Sequence, residues 1–248
     1  MDQIVTRHRH ELKRRTLTVS AVETLTPHMV RITFSGEELA DFVSLAPDDH
    51  VKLRFPSGGE EPLMREYTPR AFDTDAGRLV IDFALHEAGP ATAWALAASP
   101  GDTLVIGGPR GSAVVAPVFD WWLLIGDETA LPAIGRRLEE LAPGAQAVSL
   151  VAVPGAADEQ LFDTAARHAA HWVHRPVAAA AEAAPLLDAA RTLSLPDGRG
   201  YVWIAAEARV ARALRDHFLN DRGHPKDCMK AAGYWTQGLA DTSDKSLD

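Results

Sequence analysis

The run Arg65-Glu66-Tyr67-Thr68-Pro69-Arg70 places a guanidinium, an aromatic ring and a hydroxyl at alternate or adjacent positions at the end of a predicted strand. Groups of these types can hold a flavin. The guanidinium would pair with a pyrophosphate in bidentate fashion, Tyr67 would lie against the ring system, and the Thr68 hydroxyl or backbone N–H would reach flavin N5. A charged hydrogen bond contributes roughly 1.5–3 kcal/mol and an aromatic contact about 0.5–1.5 kcal/mol, so Arg65 would anchor such a group and Tyr67 would orient it. A solvated arginine and a half-buried tyrosine on an edge strand account for the same hexamer equally well.

Two further stretches could contribute. After Asp82-Phe83-Ala84-Leu85-His86 comes Gly89-Pro90-Ala91-Thr92-Ala93-Trp94-Ala95, a Gly-Pro turn feeding a short helix. The N–H groups of Ala91 and Thr92 there would be unpaired and suited to an anion. His86 and Trp94 could flank an adenine or ribose, although a strand histidine and a core tryptophan are the plainer readings. In Gly107-Gly108-Pro109-Arg110-Gly111-Ser112, glycines on both sides permit a tight turn that thrusts Arg110 outward, or simply a bare hairpin. His168, His171 and His174 are spaced three apart, but Trp172-Val173 reads as a strand and no carboxylate completes a metal set, so no metal site is expected. Cys228 reads as a small buried hydrophobe.

The elements that must position these residues change texture along the chain. From Leu17 to about Val115, short runs such as Val30 to Phe34, Val51 to Phe55 and Leu79 to Phe83 alternate apolar and polar residues between turn signals. This pattern predicts an antiparallel barrel of about six strands, interrupted by one short helix over 91–98. After Pro117 the period changes to strand, loop, helix. Strands are expected at Trp121 to Ile125, Ala147 to Val153, Trp172-Val173, Tyr201 to Ala205 and Met229 to Ala232, with helices over 131–141, 158–170, 181–193 and 207–220. Such alternation predicts a Rossmann-like parallel sheet covered by helices, and a division into domains 1–117 and 118–248.

Composition narrows the class. The chain has 248 residues, 46% of them hydrophobic and 24% charged, and a net charge of −9. That charge argues against generic binding to nucleic acid or anionic membranes, so any anionic ligand needs a local basic cluster. A single cysteine excludes an internal disulfide and suits a reducing compartment. With no secretory h-region and no long apolar run, the expected location is the cytoplasm and no integral membrane segment is expected.

Taken in order, the hexamer at 65–70, His86-Glu87-Ala88-Gly89-Pro90-Ala91-Thr92-Ala93-Trp94-Ala95, Pro100-Gly101-Asp102, Gly108-Pro109-Arg110-Gly111-Ser112, Gly126-Asp127-Glu128-Thr129-Ala130-Leu131-Pro132-Ala133, Trp203-Ile204-Ala205-Ala206-Glu207 and Ala232-Gly233-Tyr234-Trp235 resemble the siderophore-interacting protein family. The resemblance implies a cytoplasmic FAD-containing reductase, related in fold to ferredoxin-NADP reductases, that uses NADPH or NADH to reduce ferric siderophores and release Fe(II). It implies flavin contacts from Arg65, Tyr67 and Thr68, the last two nearest the reacting ring, with Asp82, His86, Ala91, Thr92 and Trp94 lining the rest of the FAD. Asp127, Glu128 and Thr129 would face the nicotinamide nucleotide with Glu207, Tyr234 and Trp235. Lys52, Arg110 and Lys230 would surround the ferric ligand, and the chain would act as a monomer.

Two positions depart from the family pattern: Ala206 replaces a glycine and Thr236 a basic residue. Electrostatics also qualifies Asp127-Glu128, since two carboxylates beside a helix N-terminus would repel a pyrophosphate. That loop reads as an N-cap with a ribose or amide contact, or as capping alone. Arg209 and Arg212 could hold a 2′-phosphate or simply face water. The rival functions are a reductase serving ferredoxin or flavodoxin, and a siderophore carrier without catalysis.

Overall fold

The computed structural model describes residues 4–57, 59, 61–85, 89–239 and 247. The chain divides into two compact units between Val115 and Ala116.

The first unit contains β1 (Val5–Arg9), β2 (Arg14–Thr26), β3 (Met29–Ser35), β4 (Val51–Phe55), β5 (Leu63–Tyr67), β6 (Ala71–Asp73), β7 (Arg78–Ala84), the helix α1 (Pro90–Ala97), β8 (Thr103–Gly107) and β9 (Gly111–Val115). Seven strands form one antiparallel sheet in the order β5-β4-β8-β2-β3-β7-β6, and β1 pairs with β9 as a separate ribbon. The antiparallel character follows the alternation in the sequence, and the barrel expected with about six strands is a curled half-barrel sheet of seven. The added pieces are β6, only three residues long, and the β1–β9 ribbon, whose residues carry little apolar signal.

Inward residues of β2, β3, β4 and β7, among them Leu17, Ile32, Phe34, Leu53, Phe55, Ile81 and Phe83, form the core of this unit. Burial of each large side chain contributes about 1.5–3 kcal/mol. Helix α1 closes this core with Ala91, Ala95 and the ring of Trp94.

The second unit contains β10 (Trp121–Gly126), α2 (Leu131–Glu140), β11 (Gln146–Val153), β12 (Arg167–His174), α3 (Ala184–Thr192), β13 (Gly200–Glu207), α4 (Ala208–Asp216) and β14 (Met229–Trp235). All five strands are parallel in the order β12-β11-β10-β13-β14. The order reverses at β10 and β13, and in open α/β sheets the carboxyl ends of the strands at such a point form the ligand crevice.

One expected element is absent. Residues 158–170 do not form a helix: a 3-10 turn covers Ala156–Asp158, and β12 starts at Arg167. Alanines at 165, 166, 169 and 170 gave that stretch helical propensity. Residue-by-residue pairing of Arg167 to His174 with Gln146 to Val153 overrides it. The last helix is also shorter than expected, because α4 ends at Asp216 in a wide π-type turn over His217–Asp221.

Glycine at 126 is dictated by close approach. A Cβ there would lie 2.4 Å from the Ala130 Cβ and 2.6 Å from the Ala205 carbonyl oxygen, at the junction of β10, β13 and the turn into α2. Replacing Gly126 by Ala should therefore cost about 1–3 kcal/mol and lower the thermal midpoint of this unit by several degrees. Differential scanning calorimetry checks this, and a variant as stable as the parent would contradict the packing.

Candidate functional site

In the first unit, register settles which hexamer side chains share a face. Leu53 pairs with Arg65 and Val51 with Tyr67, so Arg65 and Tyr67 project to the side of the core, whereas Glu66 opposite Lys52 projects outward. The Tyr67 ring sits 4.5 Å from Phe83 and 6.4 Å from Phe55 between centroids. Burial pushes its phenol pKa upward, and the positive charge of Arg65 opposes that shift. The hydroxyl therefore stays protonated and can donate but not act as a base. Arg65 is half-buried and donates from Nη1 to the Met64 carbonyl at 2.7 Å. Thr68 is buried directly after the strand.

Helix α1 approaches the same ring through Phe83, which lies 6.1 Å from Trp94. Its N-cap, Gly89, provides no side-chain acceptor, and Pro90 opens the helix. Among the described residues, no N-cap side chain accepts from the first-turn N–H groups, which include those of Ala91 and Thr92. A cation, an aromatic ring and two backbone donors are a donor set suited to an aromatic dinucleotide with a pyrophosphate.

Other expected members of this set are engaged within the chain. Asp82 is buried, and it accepts a bidentate pair from Arg31, Nε to Oδ1 at 2.7 Å and Nη2 to Oδ2 at 2.8 Å, with Arg70 Nε 3.7 Å away. It is the centre of an internal ion-pair group. Trp94 stacks on Phe34 at 6.2 Å and meets Phe55 at 5.6 Å, so its ring anchors α1 to the core. His86 lies outside the described residues.

The expected substrate cations of this unit are carried on connected segments. Lys52 pairs across the sheet with Gly107, three positions before Arg110. A Cβ on Gly108 would lie 3.7 Å from the His50 carbonyl oxygen. The exposed Arg110 is carried on a turn that is pinned from behind. Gly108 N–H donates to Lys13 O at 3.0 Å, Arg15 Nη1 donates to Gly108 O at 3.2 Å, and His10 N–H donates to Arg110 O at 3.0 Å. Ser112 donates to the buried Asp49 at 2.6 Å and contacts His10 Nε2 at 2.8 Å. Arg15 in turn is held by Asp41, whose carboxyl is lowered to about 2 by its hydrogen bonds to Lys13 and Arg15. Sequence reasoning missed this bracing role of Arg15, Asp49 and Ser112, because the partners are up to 102 residues apart.

In the second unit, the loop after β10 lies at the carboxyl ends of the strands, and its acidic groups turn inward. Asp127 is buried and takes four donors: Thr129 N–H at 2.9 Å and Thr129 Oγ1 at 2.5 Å on Oδ1, then Glu207 N–H at 3.1 Å and Trp235 Nε1 at 2.9 Å on Oδ2. Glu207 caps α4, accepting from Arg209 N–H at 2.6 Å and Val210 N–H at 3.3 Å, where the helix dipole favours its charge. Glu128 pairs with Arg175 at 2.5 Å, both buried. Burial first, then the neighbouring Asp127 charge, raises the Glu128 pKa, and Arg175 opposes the shift.

These contacts give the carboxylates of Asp127, Glu128 and Glu207 capping and strand-tying roles within the chain itself. Thr129, half-buried, is the loop residue left at the crevice. Tyr234 packs edge-on against Trp203 at 6.0 Å. Lys230 sits on β14 opposite Trp203. Ala206, in place of the family's glycine, puts its methyl into the core with Ile204 and Val210, away from the loop. Among the described residues no cluster of metal-ligating side chains occurs. His168 instead bonds Ser149 Oγ at 2.9 Å, with its pKa lowered by burial and by His171.

An antiparallel half-barrel carrying a flavin-type face, followed by a parallel sheet with its crevice at the switch point, defines the ferredoxin reductase-like class. The profile described as siderophore-interacting FAD-binding domain matches residues 18–62 and 55–113, and that described as siderophore-interacting protein matches 119–238. The chain belongs to the siderophore-interacting protein family. It is 33% identical to the NADPH-dependent ferric-chelate reductase of Escherichia coli K12, covering 92% of this chain and 95% of that one. It is 27% identical to the ferric vibriobactin reductase ViuB of Vibrio cholerae, covering 85% of each. The solved structure of a siderophore utilization protein from T. fusca superposes with a TM-score of 0.90 at 35% identity, covering 97% of this chain and 99% of that one. No helix among the described residues is long and apolar enough to cross a membrane.

Removing Arg175 would leave Glu128 as a buried carboxylate with no cation. The folded-state pKa of Glu128 already lies above its ordinary value, so its contribution favours folding at low pH and declines as pH rises through that window. Arg175→Met raises that pKa further. Its destabilisation should thus be small near pH 4.5 and grow to roughly 3–5 kcal/mol by neutral pH. Urea unfolding across that range measures it, and a pH-independent loss would refute the assignment.

Proposed function

We propose that this chain is a ferric-siderophore reductase that holds FAD on residues 1–117 and takes NADPH or NADH on residues 118–248. The observation that carries the reading is the pairing of two family profiles, in order, with a β5 face on which Arg65 and Tyr67 stand together and an α1 N-terminus to which Gly89 offers no side-chain cap. Bound FAD supplies the conversion between the electron pair of a nicotinamide and the single electrons that iron accepts. The balance is one NAD(P)H and two Fe(III) giving NAD(P)+, a proton and two Fe(II), and the softer, less charged Fe(II) is held less tightly by oxygen donors.

The residues of this chain bind and orient. Arg65 and the Ala91 and Thr92 N–H groups neutralise a pyrophosphate. Tyr67, kept protonated by its burial, provides a ring face, and buried Thr68 offers a hydroxyl at the end of β5. In the second unit Thr129 and the strand ends beside Glu207 receive the nicotinamide nucleotide, with Tyr234 and Trp235 bordering it. Lys52 and Arg110 on the first unit and Lys230 on the second are the cations that attract the ferric chelate, each acting within a screening length of about 8 Å despite the net charge of −9. On this reading no acid or base is needed for hydride transfer, and catalysis is positioning. The same reading places the protein in the cytoplasm as a monomer with no nucleic-acid partner.

Purified protein should be yellow and oxidise NADPH or NADH in the presence of a ferric siderophore. Colourless protein that takes up no added FAD would end the proposal. Arg65→Ala should lower FAD affinity about 10- to 100-fold with the far-ultraviolet dichroism intact. Replacing Lys52, Arg110 and Lys230 together by alanine should raise KM for an anionic ferric chelate more than for a neutral one, and equal rises would exclude this role for the three cations.

A further inference from the structure

Glu66 sits inside the flavin-type hexamer yet faces away from it. The β4–β5 register sets Glu66 directly opposite Lys52, on the side of the sheet away from Val51, Leu53 and Phe55, which are fully buried. Glu66 Oε1 lies 3.6 Å from Lys52 Nζ and 3.9 Å from His50 Nε2. The Glu66 side chain is 19% exposed and that of Lys52 48%, so the carboxylate lies under an ammonium that reaches solvent. Lys52 also pairs with Gly107, and the following turn carries Arg110. The cations offered to an anionic chelate and a fixed negative charge thus share one strip of β4, β5 and the end of β8.

We propose that Glu66 is a specificity-determining residue for the ferric chelate: it masks Lys52 and biases the enzyme toward complexes of low net charge, such as ferric hydroxamates, over polyanionic tris-catecholates. The proposal rests on the reading of Lys52 and Arg110 as substrate cations. A carboxylate within one side-chain length of a docking cation opposes each further negative charge on the ligand, while a neutral complex meets no such penalty. The bias is confined to the outer face, because Arg65 and Tyr67 project to the other side of β5.

The test compares the parent with Glu66→Gln, which keeps the shape and removes the charge, and with Glu66→Ala as a second route to the same change. Two probes serve: a trianionic ferric tris-catecholate and a neutral ferric trihydroxamate, each with its redox-inert gallium(III) counterpart. The expected result is a fall of about two- to five-fold in the ratio of the trianionic to the neutral KM. The gallium dissociation constants, read by tryptophan fluorescence, should shift in the same ratio, and the effect should vanish at about 1 M salt, where the screening length is about 3 Å. In a Lys52→Ala background the same substitution should yield a smaller gain. An unchanged ratio, an equal fall for both probes, a salt-independent effect or a full gain without Lys52 would each overturn the proposal. Failure of the reductase reading would look different: the parent would bind the gallium complexes but not reduce the ferric ones.

Discussion

The buried carboxylate of Asp127 holds together the part of the molecule on which a nucleotide site depends. Its two oxygens accept from a loop amide, a loop hydroxyl, the amide at the end of β13 and the indole at the end of β14. A charge at 1% exposure is tolerable only when its lone pairs are filled, and here four donors fill them. Three strand ends are thereby locked at the point where strand order reverses. Gly126 serves the same junction, because only a residue without a Cβ lets β10 pass the Ala205 carbonyl.

Around that carboxylate the other acidic groups are placed by the same rule. Glu207 satisfies the first turn of α4, and Glu128 is matched by Arg175. The acidic loop therefore presents little free negative charge where a dinucleotide would approach. Repulsion expected from the bare sequence Asp127-Glu128 is removed by folding, which turns both side chains inward.

In the first unit the governing constraint is strand parity. Arg65 and Tyr67 belong to the inward set with Leu53 and Val51, while Glu66 and Lys52 belong to the outward set. One five-residue strand at the sheet edge thus presents two chemically different sets of side chains to opposite faces. Parity on β7 has the opposite consequence for Asp82. It sits on the face opposite Ile81 and Phe83, where Arg31 of the neighbouring strand β3 takes both its oxygens. The outer cations are not uniform either: Arg110 is carried on a turn braced by Arg15, Ser112 and backbone bonds, whereas Lys52 is partly neutralised by Glu66.

Local signals were enough for whatever depends on neighbours in the chain. Period-two alternation revealed the antiparallel strands. The strand-loop-helix rhythm after Pro117 revealed the parallel sheet, and the order of motifs from Arg65 to Trp235 pointed to the family. Which partner each polar side chain takes was settled only in three dimensions. Asp82 and Arg31 are 51 residues apart, Glu128 and Arg175 are 47, and Asp127 and Trp235 are 108. Segment 158–170 has alanines enough for a helix, yet Arg167 to His174 became a strand because β11 offered a free edge. The physical reason is common to all of these: propensity and spacing act over a few residues, whereas buried charge and sheet hydrogen bonds are satisfied by whatever the fold brings alongside.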